Sequence, residues 1–303
     1  MDVCMIHILL AANNNYAMPL TVAAHSALRH INRNCPVSLN IVDDGLSETN
    51  RRRAASILER AHPRVKIIWH QVDLTKMAHV ETRSFSQATF IRLFASELFG
   101  DDVDRVLYID SDVVVESDVS ALWDIDLGDK AVWAMQDGDD EDSRTLFEGV
   151  RPEGGLPPDA KYFNAGVLLI NLPEWRRKRV GERAIELLLT RQPTLRFLDQ
   201  DALNAITLGD WGRLPARWNK QMGRWKKAGT APMSERGILH FTADKPWKPT
   251  YYHKHSRIFH FAYLRSGWEP TVEALRTVAR LIAAQFVTRN KIRLAYRFNI
   301  RFD

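Results

Sequence analysis

The run Arg105-Val-Leu-Tyr-Ile-Asp110-Ser-Asp112-Val-Val-Val carries the side chains best suited to chemistry, two carboxylates one residue apart at the end of an apolar stretch. Side chains alternate along an extended chain, so Asp110 and Asp112 are expected to face one point in space. Oxygen ligands of this kind suit a hard divalent cation. At the carboxyl end of a buried strand the ion would sit in the crevice where open α/β sheets bind ligands, with nucleotide phosphates as its usual partner. A solvated turn is the plain alternative. Phosphatases of the haloacid-dehalogenase type also follow an apolar strand with Asp-x-Asp and attack with the first carboxylate. They open their domain with that motif, whereas more than a hundred residues precede it here.

The elements that must hold this pair are legible on both sides of it. Val3–Ala12 is an apolar run of strand length, Asn13-Asn14-Asn15-Tyr16 reads as a turn, and Pro19 to Ile31 as a helix. Val37–Val42 predicts a second strand ending at Asp43-Asp44-Gly45; Ser47 caps a basic helix reaching Ala61, and Val65–Trp69 predicts a third strand. Ser86–Phe99 has helical periodicity, with Arg92 inside it. Beyond the acidic pair come a strand at Ala131–Gln136 and an Asp-, Gly- and Pro-rich excursion over Asp137–Asp159. An apolar run at Tyr162–Leu172, a basic amphipathic helix from Pro173 to Gln192 and a short element at Phe197–Leu208 follow. Strands alternating with helices predict an α/β fold with a mainly parallel, doubly wound sheet. An excursion longer than about 15 residues is expected to frame a functional site.

With 303 residues, 45% hydrophobic and 26% charged, the chain is expected to form one large soluble domain. No stretch approaches about 18 consecutive apolar residues, and the N-terminus is too short and mixed for a secretory signal, so a cytoplasmic location is expected. Cys4 and Cys35 are the only cysteines and stand in no ligand spacing, which speaks against a disulfide framework or a zinc site. The net charge of +5 lies in the tail, where Arg276, Arg280, Arg289, Lys291, Arg293, Arg297 and Arg301 face only Glu273 and Asp303. The neutral body, residues 1–270, argues against a nucleic-acid partner.

Six segments together resemble the family 8 glycosyltransferases, which include bacterial lipopolysaccharide α-galactosyl- and glucosyltransferases. They are Ala11-Ala-Asn-Asn-Asn-Tyr16-Ala, Ala88-Thr-Phe-Ile-Arg92-Leu, Val106-Leu-Tyr-Ile-Asp110-Ser-Asp112, Tyr162-Phe-Asn164-Ala-Gly166-Val-Leu-Leu-Ile-Asn171, Leu198-Asp199-Gln200-Asp201-Ala-Leu-Asn204 and His240-Phe-Thr-Ala-Asp-Lys245-Pro-Trp247. The resemblance implies a GT-A nucleotide-sugar fold and a retaining transferase that uses a UDP-sugar and Mn2+, with Mg2+ as the alternative. It implies Asp110, Asp112 and His240 as the three metal ligands. Ala11, Asn13, Asn15 and Tyr16 would meet the uridine, and Arg92, Ser111, Ala243 and Lys245 would complete the nucleotide site. The family usually carries Asp where Asn13 stands; an Asn carbonyl can still accept from the uracil N–H. Arg92, Asp137, Asn164, Gly166, Asp199 and Gln200 would surround the donor sugar, with Gln200 beneath the anomeric carbon and Asp199 on sugar hydroxyls.

Gln200 is a poor nucleophile. Front-face displacement, in which the leaving phosphate takes the acceptor proton, is therefore the favoured course, with Asp199 or Asp201 as alternative nucleophiles. The expected reaction moves galactose or glucose from a UDP-hexose to a saccharide acceptor, of a cell-surface glycan; the alternative is a non-catalytic nucleotide-sugar or glycan-binding protein on the same fold. The excursion over 137–159 and the Trp-rich region 211–230 are expected to shape the acceptor side. In the segment 271–303, Val272, Leu275, Val278, Leu281, Ile282 and Phe286 recur at helical spacing among arginines, an amphipathic basic helix suited either to peripheral contact with an anionic membrane or to packing on the body.

Overall fold

The computed structural model describes residues 5–82, 86–138, 144–150, 155–191, 194–222, 234–242, 245–248, 255–269 and, singly, 272, 275, 276 and 279. In chain order the strands are β1 (Ile6–Ala12), β2 (Val37–Asp43), β3 (Val65–His70), β4 (Arg105–Ile109), β5 (Val113–Val115), β6 (Val132–Gln136), β7 (Phe163–Asn171), β8 (Gly212–Arg213), β9 (Lys220–Gln221) and β10 (Ile238–His240). The helices are α1 (Ala17–His30), α2 (Glu48–Ala61), α3 (Ala95–Leu98), α4 (Leu172–Arg177), α5 (Val180–Arg191), α6 (Asp199–Thr207) and α7 (Ser256–Ser266).

Alternation along β1 builds both faces of the core. Ile6, Ile8, Leu10 and Ala12 pack with Leu20 and Ala24 of α1 and Ile57 of α2, whereas Leu9 and Ala11 join Phe90, Tyr108 and Leu168 on the opposite face. The main sheet has the order β3-β2-β1-β4-β7-β6-β8. It is mainly parallel, as expected, but β7 runs antiparallel to both β4 and β6. A second sheet, β5-β10-β9, branches off immediately beyond β4.

Several local expectations change. The strand bearing the acidic pair stops at Ile109, and residues 110–112 turn into β5. The two carboxylates therefore converge through a turn and not through strand alternation. The helical stretch after Ser86 is mostly a 3-10 helix, Gln87–Phe94, continued by α3. The basic helix expected from Pro173 to Gln192 is two helices, because Arg179 takes a left-handed φ of 51° between them. Within the acidic excursion, Leu146, Phe147 and Val150 are buried, and Phe147 packs edge-on against Tyr162 at 5.3 Å, so this part is bound into the core. Asp139, Asp140, Glu141 and Asp142 lie outside the described residues. Trp211 and Trp218 are buried core residues, not exposed platforms. Of the tail only four residues are described, with Val272 and Leu275 exposed; the amphipathic pattern beyond them lies outside the description. Among the described residues, no helix is long and apolar enough to cross a membrane.

The register of β7 prepares the site. Ala134 pairs with Leu168 but Met135 with Asn164, so residues 165–167 bulge away from β6. A bulge frees backbone groups and re-aims side chains, a common device beside active sites.

His25 of α1 contributes a pH-dependent term to this fold. Burial, helped by the nearby charges of Arg29 and His30, lowers its pKa from 6.5 to about 4. The unfolded chain binds a proton near pH 6.5 that the folded chain refuses until about pH 4. Stability is therefore expected to fall as the pH drops through that window, by about 3 kcal/mol from this residue. Urea unfolding at neutral and acidic pH checks this: His25→Gln should lose less stability on acidification than the parent, and equal losses contradict it.

Candidate active site

Asp110 leaves the end of β4, Asp112 ends the turn that leads into β5, and the antiparallel pairing of β5 with β10 sets His240 opposite Val113. His240 Nε2 thereby lies 3.1 Å from Asp112 Oδ1 and 3.6 Å from Asp110 Oδ2. One ligand atom from each residue falls within 4.8 Å of the others. Asp112 Oδ1 is buried and has no hydrogen-bond partner. A buried carboxylate oxygen left unsatisfied is costly, and here it faces an imidazole nitrogen and a second carboxylate. Two carboxylates and an imidazole fit a divalent ion of the Mn2+ type. Lys245 donates to the other oxygen, Asp112 Oδ2, and to Phe241 O at 2.8 Å. Burial alone would raise Asp112, but the charge of Lys245 and then His240 hold its carboxyl well below the ordinary range.

Gly166 makes this convergence sterically admissible. A Cβ there would lie 2.1 Å from His240 Cε1 and 2.7 Å from Asp110 Oδ2. Its carbonyl accepts from Asp110 N at 2.8 Å, which ties the bulge of β7 to the turn after β4. The structure thus sets Gly166, expected at the sugar, directly behind the Asp110–Asp112–His240 cluster.

Arg92 is buried and links that cluster to the next group of residues. Its Nη2 donates to Asp110 Oδ1 at 2.8 Å, its Nε lies 3.0 Å from Asp199 Oδ2, Nη1 donates to Ala165 O, and the guanidinium sits 4.6 Å from the Tyr108 ring centroid. Tyr108 and Thr89, which the motifs did not single out, hold the acids in place: Tyr108 Oη donates to Asp110 Oδ1 at 2.7 Å and Thr89 Oγ1 to Asp199 Oδ1 at 2.7 Å. Burial pushes Asp199 up to about 6 despite the opposing charge of Arg92.

A polar pocket adjoins the cluster. Asn164 Nδ2 donates to Gln200 Oε1 at 3.1 Å and to Asp137 Oδ2 at 3.4 Å, and Gln200 Nε2 donates to Asp137 Oδ2 at 3.2 Å. Gln221 Nε2 holds the remaining Asp137 oxygen at 3.1 Å. Burial raises the Asp137 carboxyl above its ordinary value, with these donors opposing it. Asp201 turns the other way. Tyr162 Oη donates to its Oδ1, and Phe197 N donates to its Oδ2 at 2.7 Å. Both oxygens are spent on the core side of α6. Leu198, buried and in a left-handed conformation with φ 49°, turns the chain so that Asp199 and Gln200 start α6 facing the pocket.

After β1, Asn13 Oδ1 accepts from Asn15 N at 3.1 Å and closes the turn. The Tyr16 ring meets the Trp247 ring edge-on at 5.7 Å, joining the first and last of the six segments. Ser111 Oγ donates to Ala11 O at 2.7 Å and fixes the end of β4 to the end of β1. Ala243 lies outside the described residues. Asn219 and Gln221 reach into the centre although no sequence pattern singled them out. Their one signal was a pair of amides two residues apart next to Trp218, in a stretch already noted for its aromatics.

Comparison with known proteins agrees with this geometry. The sequence pattern described as glycosyl transferase family 8 matches residues 7–250. General stress protein A of Bacillus subtilis is 29% identical over 277 residues, covering 85% of this chain and 93% of that protein. The lipopolysaccharide 1,2-glucosyltransferase of Escherichia coli is 26% identical over 254 residues, covering 80% and 71%. Among solved structures, the galactosyltransferase LgtC in complex with donor and acceptor sugar analogues superposes with a TM-score of 0.74 at 28% identity, covering 88% of this chain and 98% of LgtC. The mainly parallel sheet with its reversed β7 is the GT-A arrangement, and this chain belongs to glycosyl transferase family 8.

Proposed function

We propose that this protein transfers a hexose, galactose or glucose, from a UDP-sugar to a saccharide acceptor with retention of anomeric configuration, using Mn2+, or Mg2+ in its place. The observation that supports this most is that the unpaired Asp112 oxygen and His240 Nε2 lie beside the Gln200–Asp137–Asn164 pocket, in one continuous site. Asp110, Asp112 and His240 would hold the ion, which when bound supplies positive charge against the departing diphosphate. Lys245 adds a fixed cation on the same side, where negative charge develops. The ends of β1 and β4, with Tyr16 and Trp247, form the nucleotide side; Asp137, Asn164 and Asp199 provide fixed acceptors and donors for sugar hydroxyls.

Gln200 is positioned and not activated. Its Oε1 accepts from Ala165 N at 2.9 Å and from Asn164 Nδ2 at 3.1 Å, and its Nε2 donates to Asp137 Oδ2 at 3.2 Å, so the amide is held in place with no lone pair left free for attack. With both Asp201 oxygens committed to the core, the residues present favour front-face displacement over a covalent intermediate. The acceptor is assigned to a cell-surface glycan by likeness to the lipopolysaccharide glucosyltransferase, with the body of residues 1–270 at the cytoplasmic face of the membrane and the basic segment 271–303 as its contact.

NMR of the product tests this reading. An α-linked sugar from an α-linked UDP-hexose is expected, and a β-linked product overturns the mechanism. Gln200→Ala should lower kcat by about 10²-fold while leaving UDP affinity within about twofold, because its partner is the sugar and not the nucleotide.

A further inference from the structure

Asn219 is fully buried between the metal-binding cluster and the sugar pocket. Its Oδ1 lies 2.9 Å from His240 Nδ1, and its Nδ2 donates to Asn164 Oδ1 at 2.8 Å. The direction of these bonds is fixed by the backbone. Asn164 Oδ1 accepts from Gly166 N at 3.1 Å, and a backbone N–H can only donate. The atom of Asn219 facing that oxygen must therefore be its Nδ2, which leaves Oδ1 toward His240. An amide oxygen can only accept, so His240 Nδ1 must carry a proton, and in the neutral imidazole Nε2 then presents its lone pair to Asp110 and Asp112. Free imidazole has no such constraint. Asn164 Nδ2 meanwhile donates to Gln200 Oε1, whose own orientation is anchored by Ala165 N.

We infer that Asn219 is a positioning residue that relays the backbone polarity of the β7 bulge to His240, selecting the ligating tautomer and joining metal affinity to the donor-sugar pocket. The inference rests on the metal-dependent reading given above. Ligating histidines commonly have their second nitrogen held this way, and loss of such a partner typically costs 10–100-fold in metal affinity. Here the partner is a neutral side-chain amide that also touches the sugar network, so one residue serves both sites. Asn219 reaches this position because it ends the 3-10 helix Ala216–Asn219 and leads into β9, which runs parallel to β10 beside His240.

Two measurements test it. In the metal-free protein at alkaline pH, 15N spectra of labelled histidine, with His240 assigned by its absence in His240→Gln, should show a protonated Nδ1 and a bare Nε2. A protonated Nε2 in the parent overturns the inference. Mn2+ titration in the presence of UDP, read by the EPR signal of free Mn2+, should show Asn219→Ala binding the ion about 10–100-fold more weakly than the parent. Asn219→Asp keeps an acceptor for His240 but has no donor for Asn164. It should therefore bind Mn2+ within about threefold of the parent while kcat drops about tenfold or more. Parent-like Mn2+ binding by Asn219→Ala overturns the inference. Absence of Mn2+ binding by the parent would instead remove the metal assignment, and the tautomer spectrum would still decide the role of Asn219.

Discussion

Asp110→Asn and Asp112→Asn are each expected to abolish nearly all transfer and all slow UDP-sugar hydrolysis, by about 10³-fold or more, equivalent to roughly 4 kcal/mol of transition-state stabilisation. The substitution keeps size and hydrogen-bonding shape, so what it removes is an anionic oxygen. At Asp112 the loss falls on the buried, unpartnered Oδ1 beside His240 Nε2 and on the Lys245 ion pair. At Asp110 it falls on the carboxylate that Arg92 and Tyr108 hold in place. Removing one partner leaves the Arg92 charge facing only Asp199, so some loss of stability is expected at this position as well. Thermal unfolding of each variant separates the two effects. Full turnover by both folded variants contradicts the metal assignment.

Gly166→Ala is expected to act on the same centre without touching any ligand. Its new Cβ would lie 2.1 Å from His240 Cε1, closer than carbon atoms approach one another. Either the imidazole swings away from the two carboxylates or the bulge of β7 shifts, and each course breaks the cluster. Displacements near 1 Å at a reacting centre cost on the order of 10²-fold in rate. Overpacking a tight interior site costs about 1–3 kcal/mol of stability. Mn2+ affinity and kcat are thus expected to fall together by about 10²-fold while the protein remains folded. A variant with parent-like Mn2+ affinity contradicts the placement of Gly166 behind His240.

Gly166 also shows where sequence reading succeeds and where it stops. The motif Asn164-Ala-Gly166 was visible, and family likeness assigned the glycine to the sugar; the close approach of His240 depends on β10, whose three residues carry too weak a pattern to place it in advance. Strands β1 and β2 were legible because both faces are largely buried and their runs are mainly apolar, and β3, only partly buried, because Val65–Trp69 is a short run rich in β-branched and aromatic residues. Reversal of β7 was not, since a fully buried strand reads the same in either direction. Convergence of Asp110 with Asp112 was expected for the wrong local reason, as the turn after Ile109 does what strand alternation was expected to do. The break at Arg179 was hidden because Lys178-Arg179 continues the basic amphipathic pattern on both sides, and only the left-handed φ of Arg179 ends the helix. Asn219 and Tyr108 escaped notice for a related cause. They hold other site residues in place, and such roles follow from three-dimensional packing, not from spacing along the chain.

UDP release from a panel of UDP-hexoses measures metal-dependent transfer from a UDP-sugar directly. With Mn2+ and the intact chain, release is expected from UDP-galactose or UDP-glucose, its loss on adding EDTA, and its return when Mn2+ is restored. Equal release in EDTA, or no release from any UDP-hexose by protein that binds both Mn2+ and UDP, would contradict it.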